Sequence, residues 1–344
     1  MKKWMIALPL FIFYLGCSQK EAATGSYILP ETVLKNFQSL DYCQVQGQRL
    51  QKAIYGKDGR MNPCQFTDGG KMLGLSSNVA MLVNTSQVEK VGAFENQTLY
   101  KINSQTYGEF FESQMKEPLC DSVTFKNEPA PAFCSAFLIN TNGKKSILTA
   151  GHCIKGRKLE DIKIVFSVHK EGMSFIPEDS KLEKEMVVSE SQIFKVTNIK
   201  TDTSLNNLDI ALLELDREVE AEGFAVNETG DLIREGQDMI LIGHPVGLEI
   251  KLDLGGEIKS VNKESPTNRK HYFEASVDAF SGNSGSPLLD LQTQEVVGIL
   301  ISGNGDFKKD WFKGCYEEKK YSEYYSSEYE RALRIDSALE LFSL

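Results

Sequence analysis

A chain of 344 residues, 41% hydrophobic and 25% charged, has ample length for a sizeable core and is neither disordered nor collagen-like in composition. Lys and Arg number 38 against 48 Asp and Glu, for a formal net charge of -10, and so acidic a surface repels phosphate backbones. No nucleic-acid partner is expected.

The chain opens on Met1-Lys2-Lys3, a short positive region, followed by the apolar run Trp4 to Leu15. That run is too short to span a bilayer as a helix, and with Gly16-Cys17 behind it the layout is that of a secretory signal over residues 1–16. The cysteine directly after a glycine resembles a bacterial lipoprotein box, in which Cys17 is lipidated and becomes the mature N-terminus. Tyr14 and Leu15 stand where such boxes usually carry leucine and a small residue, so an ordinary signal peptide cleaved nearby is the alternative. Either reading predicts export, to the bacterial cell envelope or the medium. Of seven cysteines, six remain once Cys17 is set aside, an even number suited to three disulfides in an oxidising compartment. No Cys-x-x-Cys pair occurs, so no structural metal site is expected.

Residues 17–53 are polar and weakly patterned, a linker or pro-like segment. From residue 54 to 344 the chain turns into short apolar runs bounded by Gly, Asn, Asp and Ser. In order they are Val79–Val83, Ala136–Ile139, Ile147-Leu148, Ile162–Phe166, Ile210–Leu213, Met239–Ile242 and Val296–Ile301. Short runs with β-branched residues and turn signals at each end predict strands, hence an all-β sandwich or barrel. Only Glu328 to Phe342 has helical spacing, through Ala332, Leu333, Ile335, Leu339 and Leu341. The Tyr-, Glu- and Lys-rich tract Tyr316–Tyr329 before it reads as a solvated loop.

Three segments carry chemistry. They are Thr149-Ala150-Gly151-His152-Cys153, Leu208-Asp209-Ile210-Ala211-Leu212-Leu213 and Gly282-Asn283-Ser284-Gly285-Ser286-Pro287. In this order and with these flanks they resemble the His, Asp and Ser motifs of trypsin-like serine proteases, and the last is similar to the bacterial V8-like, glutamyl-endopeptidase branch. Ile54 to Arg60 looks like the start of the mature domain; Ile242 to Pro245 and Gly298 to Gly303 look like late strands of a second barrel. The resemblance covers about residues 54–344. It implies a chymotrypsin-like fold of two antiparallel six-stranded β-barrels with a C-terminal helix, a triad of His152, Asp209 and Ser284, and no cofactor. The partners it implies are protein or peptide substrates, on a chain expected to be a monomer.

The residue types suit that chemistry. A serine hydroxyl is a weak nucleophile and needs a base within reach; histidine, titrating near 6.5, can take the proton and return it to the leaving amine. A carboxylate fixes the imidazole tautomer and stabilises the imidazolium. Asp202 and Asp216 compete with Asp209, which is preferred because it opens an apolar strand that would bury it. Glycines beside Ser284 permit a tight turn that aims the N–H groups of Gly282 and Ser284 at one oxyanion. His169, His244 and His271 lie in other contexts and read as structural or exposed.

The resemblance carries further expectations. Cys134 and Cys153 match the family's histidine-loop disulfide. The four other cysteines allow three pairings, of which Cys43–Cys64 with Cys120–Cys315 is chosen. Asn283 stands where animal trypsins carry the aspartate that pairs with a newly cut N-terminus, so activation by that salt bridge loses its anchor. The pocket for the side chain before the scissile bond would have Asp278 as its floor and Ile301, Ser302 and Gly303 as walls, the latter also pairing with the peptide as an added strand. Asp278 would favour Arg or Lys; the alternative is that it points away and holds a loop. The positions that read glutamate in the V8-like branch are Ala279 and Leu300 here. A Deg-type enzyme with an appended peptide-binding module is not expected, because little chain follows the helix. The rival from another class is a catalytically silent binding or adhesion protein on the same fold.

Overall fold

The computed structural model describes residues 59–63, 70–94, 97–166, 185–202, 208–261, 271–321 and 329–344. The signal segment, Cys17, Cys43, Cys64, His169 and residues 54–58 lie outside the described residues. Strands follow in chain order as β1 Arg60–Met61, β2 Val79–Asn84, β3 Val88–Phe94, β4 Gln97–Asn103, β5 Cys134–Thr141, β6 Lys144–Ala150, β7 Ile162–Val165, β8 Glu185–Ser189 and β9 Ile193–Asp202. They continue as β10 Ile210–Leu215, β11 Asp238–Gly243, β12 Lys251–Val261, β13 Tyr272–Ala275, β14 Pro287–Asp290, β15 Val296–Ser302, β16 Phe307–Asp310, β17 Cys315–Glu318 and β18 Glu330–Arg334. The helices used below are α1 Lys71–Ser76, α2 Tyr107–Met115, α3 Gly151–Ile154 and α4 Ile335–Phe342.

β10-β6-β5-β2-β7-β9 close into a six-stranded antiparallel barrel. β12-β11-β14-β15-β18-β13 form a second, closed by the β12–β13 pairing, with β1 added along β12. Two such barrels with a C-terminal helix make the chymotrypsin-like fold that the sequence led us to expect. The continuous apolar run of β2 has a physical reason, because both its faces are covered. Leu82 and Ala80 point into the barrel core, while Met81 and Val83 meet Ile102, Met186 and Val188 of the separate sheet β3-β4-β8. In β11 the same period of two sends Met239 and Leu241 into the second barrel and Ile240 and Ile242 into the cluster shared with the first.

The helix expected from Glu328 is shorter. Residues 330–334 are instead β18, paired with β13 and β15, and the helix begins at Ile335. The second barrel cannot close without a strand here, and burying Ala332 and Leu333 in the sheet outweighs the local helical spacing. No helix among the described residues is long and apolar enough to cross a membrane.

Candidate active site

β6 ends at Ala150 and turns at once into α3, which carries His152 and Cys153. β10 runs antiparallel to β6 with Ile210 opposite Ala150, so the residue before β10 falls beside the start of α3. That residue is Asp209. The Gly151 N–H donates to the Asp209 carbonyl at 2.9 Å, and a Cβ at Gly151 would sit tightly against Asp209 and Ile210, at 3.0–3.2 Å. Asp209 itself sits at φ 56, the left-handed region that Asp tolerates better than most residues.

The Asp209 carboxylate uses both oxygens. Oδ1 accepts the His152 backbone N–H at 2.7 Å and Oδ2 lies 2.7 Å from the ring Nδ1. This fixes the ring with Nδ1 as the donor, leaving Nε2 free to accept. The hydrogen bond to Asp209 raises the His152 pKa above the usual imidazole value, against the opposing effect of burial. Asp209 is not buried as its strand context suggested: its side chain is 31% exposed and that of His152 is 44% exposed.

Ser284 comes from the second barrel, on the turn before β14. That turn is pressed onto the first barrel. The Ser135 N–H donates to the Ser284 carbonyl at 2.9 Å, and Ser135 Oγ donates to the Gly282 carbonyl at 3.0 Å. The bridged Sγ of Cys153 lies 3.7 Å from the Ser284 carbonyl oxygen. Gly285, at φ 86, has its Cα so close to Ser135 and Thr149 that any Cβ would overlap them. Gly282, at φ 96, is similarly confined by the His244 carbonyl. The N–H groups of Gly282 and Ser284 donate to no described residue. Ser284 Oγ likewise has no hydrogen-bond partner among the described residues, His152 included. Such bonds often tighten only when substrate is bound.

Cys134 is bonded to Cys153 and Cys120 to Cys315, as expected. Cys134, Cys153 and His152 lie close enough to suggest a metal site, but sulfurs bonded to each other offer no thiolate. His244 is structural: wholly buried, its Nδ1 faces the Leu248 carbonyl at 2.9 Å, and burial pushes its pKa down to about 4. His271 Nδ1 lies 2.9 Å from Ser337 Oγ in α4.

The expected specificity residues divide. Ile301 is buried, and Ser302 and Gly303 are exposed at the end of β15. Asp278 is buried, its Oδ2 accepting the Gly59 N–H at 2.6 Å and its own N–H donating to Asp253 Oδ2 at 2.7 Å. This is the loop-holding role given above as the alternative. A second acid escaped sequence reasoning. Glu330, 5% exposed, accepts the Asn304 N–H at 3.2 Å, and its carboxylate fills the space a side chain at Gly303 would need. Its only signal was an acid at the head of an apolar segment, which was read as helix.

The two barrels give the chymotrypsin-like fold, and the histidine–aspartate pair of one lies beside the turn of the other that carries Ser284. Residues 134–299 match the family model of the trypsin-like peptidase domain. No curated protein matches the chain. Among solved structures it is similar to an inactive form of Rv3671c from M. tuberculosis H37Rv, at 12% identity and TM-score 0.42, over 78% of this chain and 87% of that one. It is also similar to the active form of the Rv3671c protease, at 14% identity and TM-score 0.40, over 61% and 72%. The HtrA-type protease AlgW with a decapeptide matches at 18% identity and TM-score 0.41, over 78% and 64%.

Proposed function

We propose that the chain is an exported serine endopeptidase. The observation that carries this reading is the His152 ring held by Asp209 on α3, whose next residue, Cys153, meets the Ser284 carbonyl of the turn from the second barrel. Ser284 Oγ bonds to the peptide carbonyl carbon while its proton passes to His152 Nε2. The Gly282 and Ser284 N–H groups receive the oxyanion, one such donor being worth about 2.7–4 kcal/mol. Collapse breaks the C–N bond and the proton goes from His152 to the leaving amine; water then repeats the sequence and frees Ser284.

A fluorophosphonate probe tests this. Wild-type protein should take one label per chain and Ser284→Ala none, with turnover falling by about 10⁶. Folded wild-type protein that takes no label would instead favour the silent binding module, which draws its support from the unbonded Ser284 hydroxyl.

Preference for Arg or Lys before the scissile bond belongs to the same proposal. It rests on Glu330, a buried carboxylate against Gly303 at the end of β15, and not on Asp278, which holds the loop. Arg peptides should be cleaved faster than Leu peptides, and Glu330→Gln should shrink that ratio; equal rates in the wild type would refute it. The V8-like branch has only the Gly-Asn-Ser-Gly-Ser-Pro sequence in its favour, and Ala279 and Leu300 count against glutamate. Export is supported by residues 1–17 and by two disulfides that persist only in an oxidising compartment. Finding the protein in the cytosol with free thiols would overturn it.

A further inference from the structure

Between β4 and β5 the chain makes an excursion that the catalytic reading does not use, and it builds one wall of a cavity. The Thr106 hydroxyl accepts the Glu109 N–H at 3.2 Å and the Glu109 carboxylate accepts the Thr106 N–H at 3.0 Å, a reciprocal cap that starts α2. One side of α2 is packed away: Tyr107 and Phe111 are buried, and the Phe111 ring meets Phe307 edge-on at 4.6 Å. The Cys120–Cys315 disulfide ties the excursion to β17. Phe110 and Met115 are left 45% exposed, an unusual position for two large apolar side chains on one short helix.

They face a cavity of about 730 Å³, whose other walls include Phe133, Val246 and Gly282. Its volume is within the range of ligand sites. No charged side chain occurs among its described lining residues. Phe133 is stiffened from behind by the Arg157 guanidinium, 3.7 Å from the ring centroid. Val246 has φ 49, where a β-branched residue costs about 1–3 kcal/mol. Glycine would hold that conformation without strain, so what valine adds there is its side chain. The Val246 N–H also donates to the Ser281 carbonyl at 2.6 Å, linking this wall to the loop that leads into Gly282.

Resting on the peptidase reading, the geometry points to this cavity as the subsite for an aromatic or long aliphatic side chain on the leaving-group side of the scissile bond. The cavity borders Gly282 and begins at Phe133, next to the disulfide beneath His152, the group that hands its proton to the leaving amine. None of Ile301, Ser302 and Gly303, which would pair with the acyl side, lines it. A peptide whose carbonyl oxygen meets the Gly282 N–H therefore leaves in this direction. Amide and hydroxyl side chains such as Asn84, Gln105 and Gln114 also line the cavity, but Phe110, Met115, Phe133 and Val246 offer an apolar side chain burial, while no opposite charge meets a carboxylate or an ammonium there.

The test is a peptide series with a fixed acyl half and Phe, Leu, Ala, Asp or Lys at each of the first two positions after the scissile bond. Wild-type protein should cleave the Phe or Leu members at least about tenfold faster in kcat/KM than the Asp and Lys members. In Phe110→Asn/Met115→Gln that ratio should drop below about threefold. As a measurement independent of variants, phenylalanine amide should divert the acyl group from water to amide product far better than glycine amide. In that step the amine nitrogen bonds to the acyl carbon as Ser284 Oγ leaves, and the amine's proton passes through His152 to Ser284. Peptides cleaved at one common rate, with both amides equally poor acceptors, would overturn the subsite and leave the peptidase standing. No cleavage of any member, with no fluorophosphonate label, would overturn the peptidase itself.

Discussion

On the proposed mechanism, Asp209→Asn should lower kcat/KM by about 10⁴ while leaving the folded structure in place. In the wild type, Oδ2 holds the proton on His152 Nδ1, so Nε2 keeps its lone pair, the one that the proposed mechanism uses to take the Ser284 proton. An amide presenting N–H there turns the ring over to the wrong tautomer, with the proton on Nε2, and the base is lost. The backbone bond from the His152 N–H can still be made by an amide oxygen, so the turn keeps its shape. The pH dependence has a sign. The hydrogen bond raises the His152 pKa, and only neutral imidazole can act as base, so the acid limb of kcat/KM lies above the usual value of about 6.5. In Asp209→Asn the limb should move down. Stability runs the other way. The imidazolium–Asp209 pair stabilises the fold fully below about pH 6.5, and this contribution is lost as pH rises through the higher folded-state value. Thermal scans should therefore find Asp209→Asn more harmful at about pH 5 than at about pH 9. A variant within tenfold of wild-type kcat/KM would remove Asp209 from the mechanism.

The candidate site residues His152, Asp209 and Ser284 were legible because each is fixed by its neighbours in sequence. Gly151 must be small beside Asp209, Gly282 and Gly285 must have no side chain, and the strand after Asp209 must be apolar to pair with β6. What the motifs could not reveal was placed by distant chain. The sheet β3-β4-β8 is the reason β2 has an apolar run, yet β4 buries only Leu99 and Ile102 and β8 offers just Met186-Val187-Val188, too little for sequence reading to pick out. β18 carries residues whose spacing fits a helix, and only the unclosed second barrel turns them into a strand. Glu330 was hidden by that error. Asp209 was expected to be buried, but burial depends on what covers a strand end, and the pairing of β10 does not decide that. The cap Thr106-x-x-Glu109 was readable, yet nothing local says that α2 faces the cleft.

Arg60→Ala should cost about 3–5 kcal/mol of stability, the penalty for leaving a buried charge without its partner. The Arg60 guanidinium lies 2.9 Å from the Glu318 carboxylate, with their side chains 1% and 5% exposed. Tyr107 Oη donates to the other Glu318 oxygen at 3.3 Å, and burial, then the Glu318 charge, holds that phenol protonated well above its ordinary range. The guanidinium also stacks 4.2 Å from the Phe280 ring centroid, and the preceding residue, Gly59, bonds to Asp278. The N-terminal strand thus grips residues 278 and 280, just before Gly282. In animal trypsins an aspartate before the nucleophile anchors this loop to a new N-terminus. Asn283 is instead turned inward, its N–H donating to the Phe280 carbonyl at 2.9 Å and its Oδ1 accepting from Ser286 Oγ at 3.4 Å. Arg60→Ala should accordingly lower kcat along with the unfolding midpoint in urea. Arg60→Lys should recover only part of either, since an ammonium cannot both pair with Glu318 and lie flat on Phe280. Removing both charges in Arg60→Met/Glu318→Leu should restore most of the stability, because no ion is then stranded, but not the grip on Phe280 and hence not kcat. An Arg60→Ala protein with an unchanged midpoint would mean that the pair holds nothing together. A double variant with full kcat would mean that the loop before Ser284 keeps its shape without it.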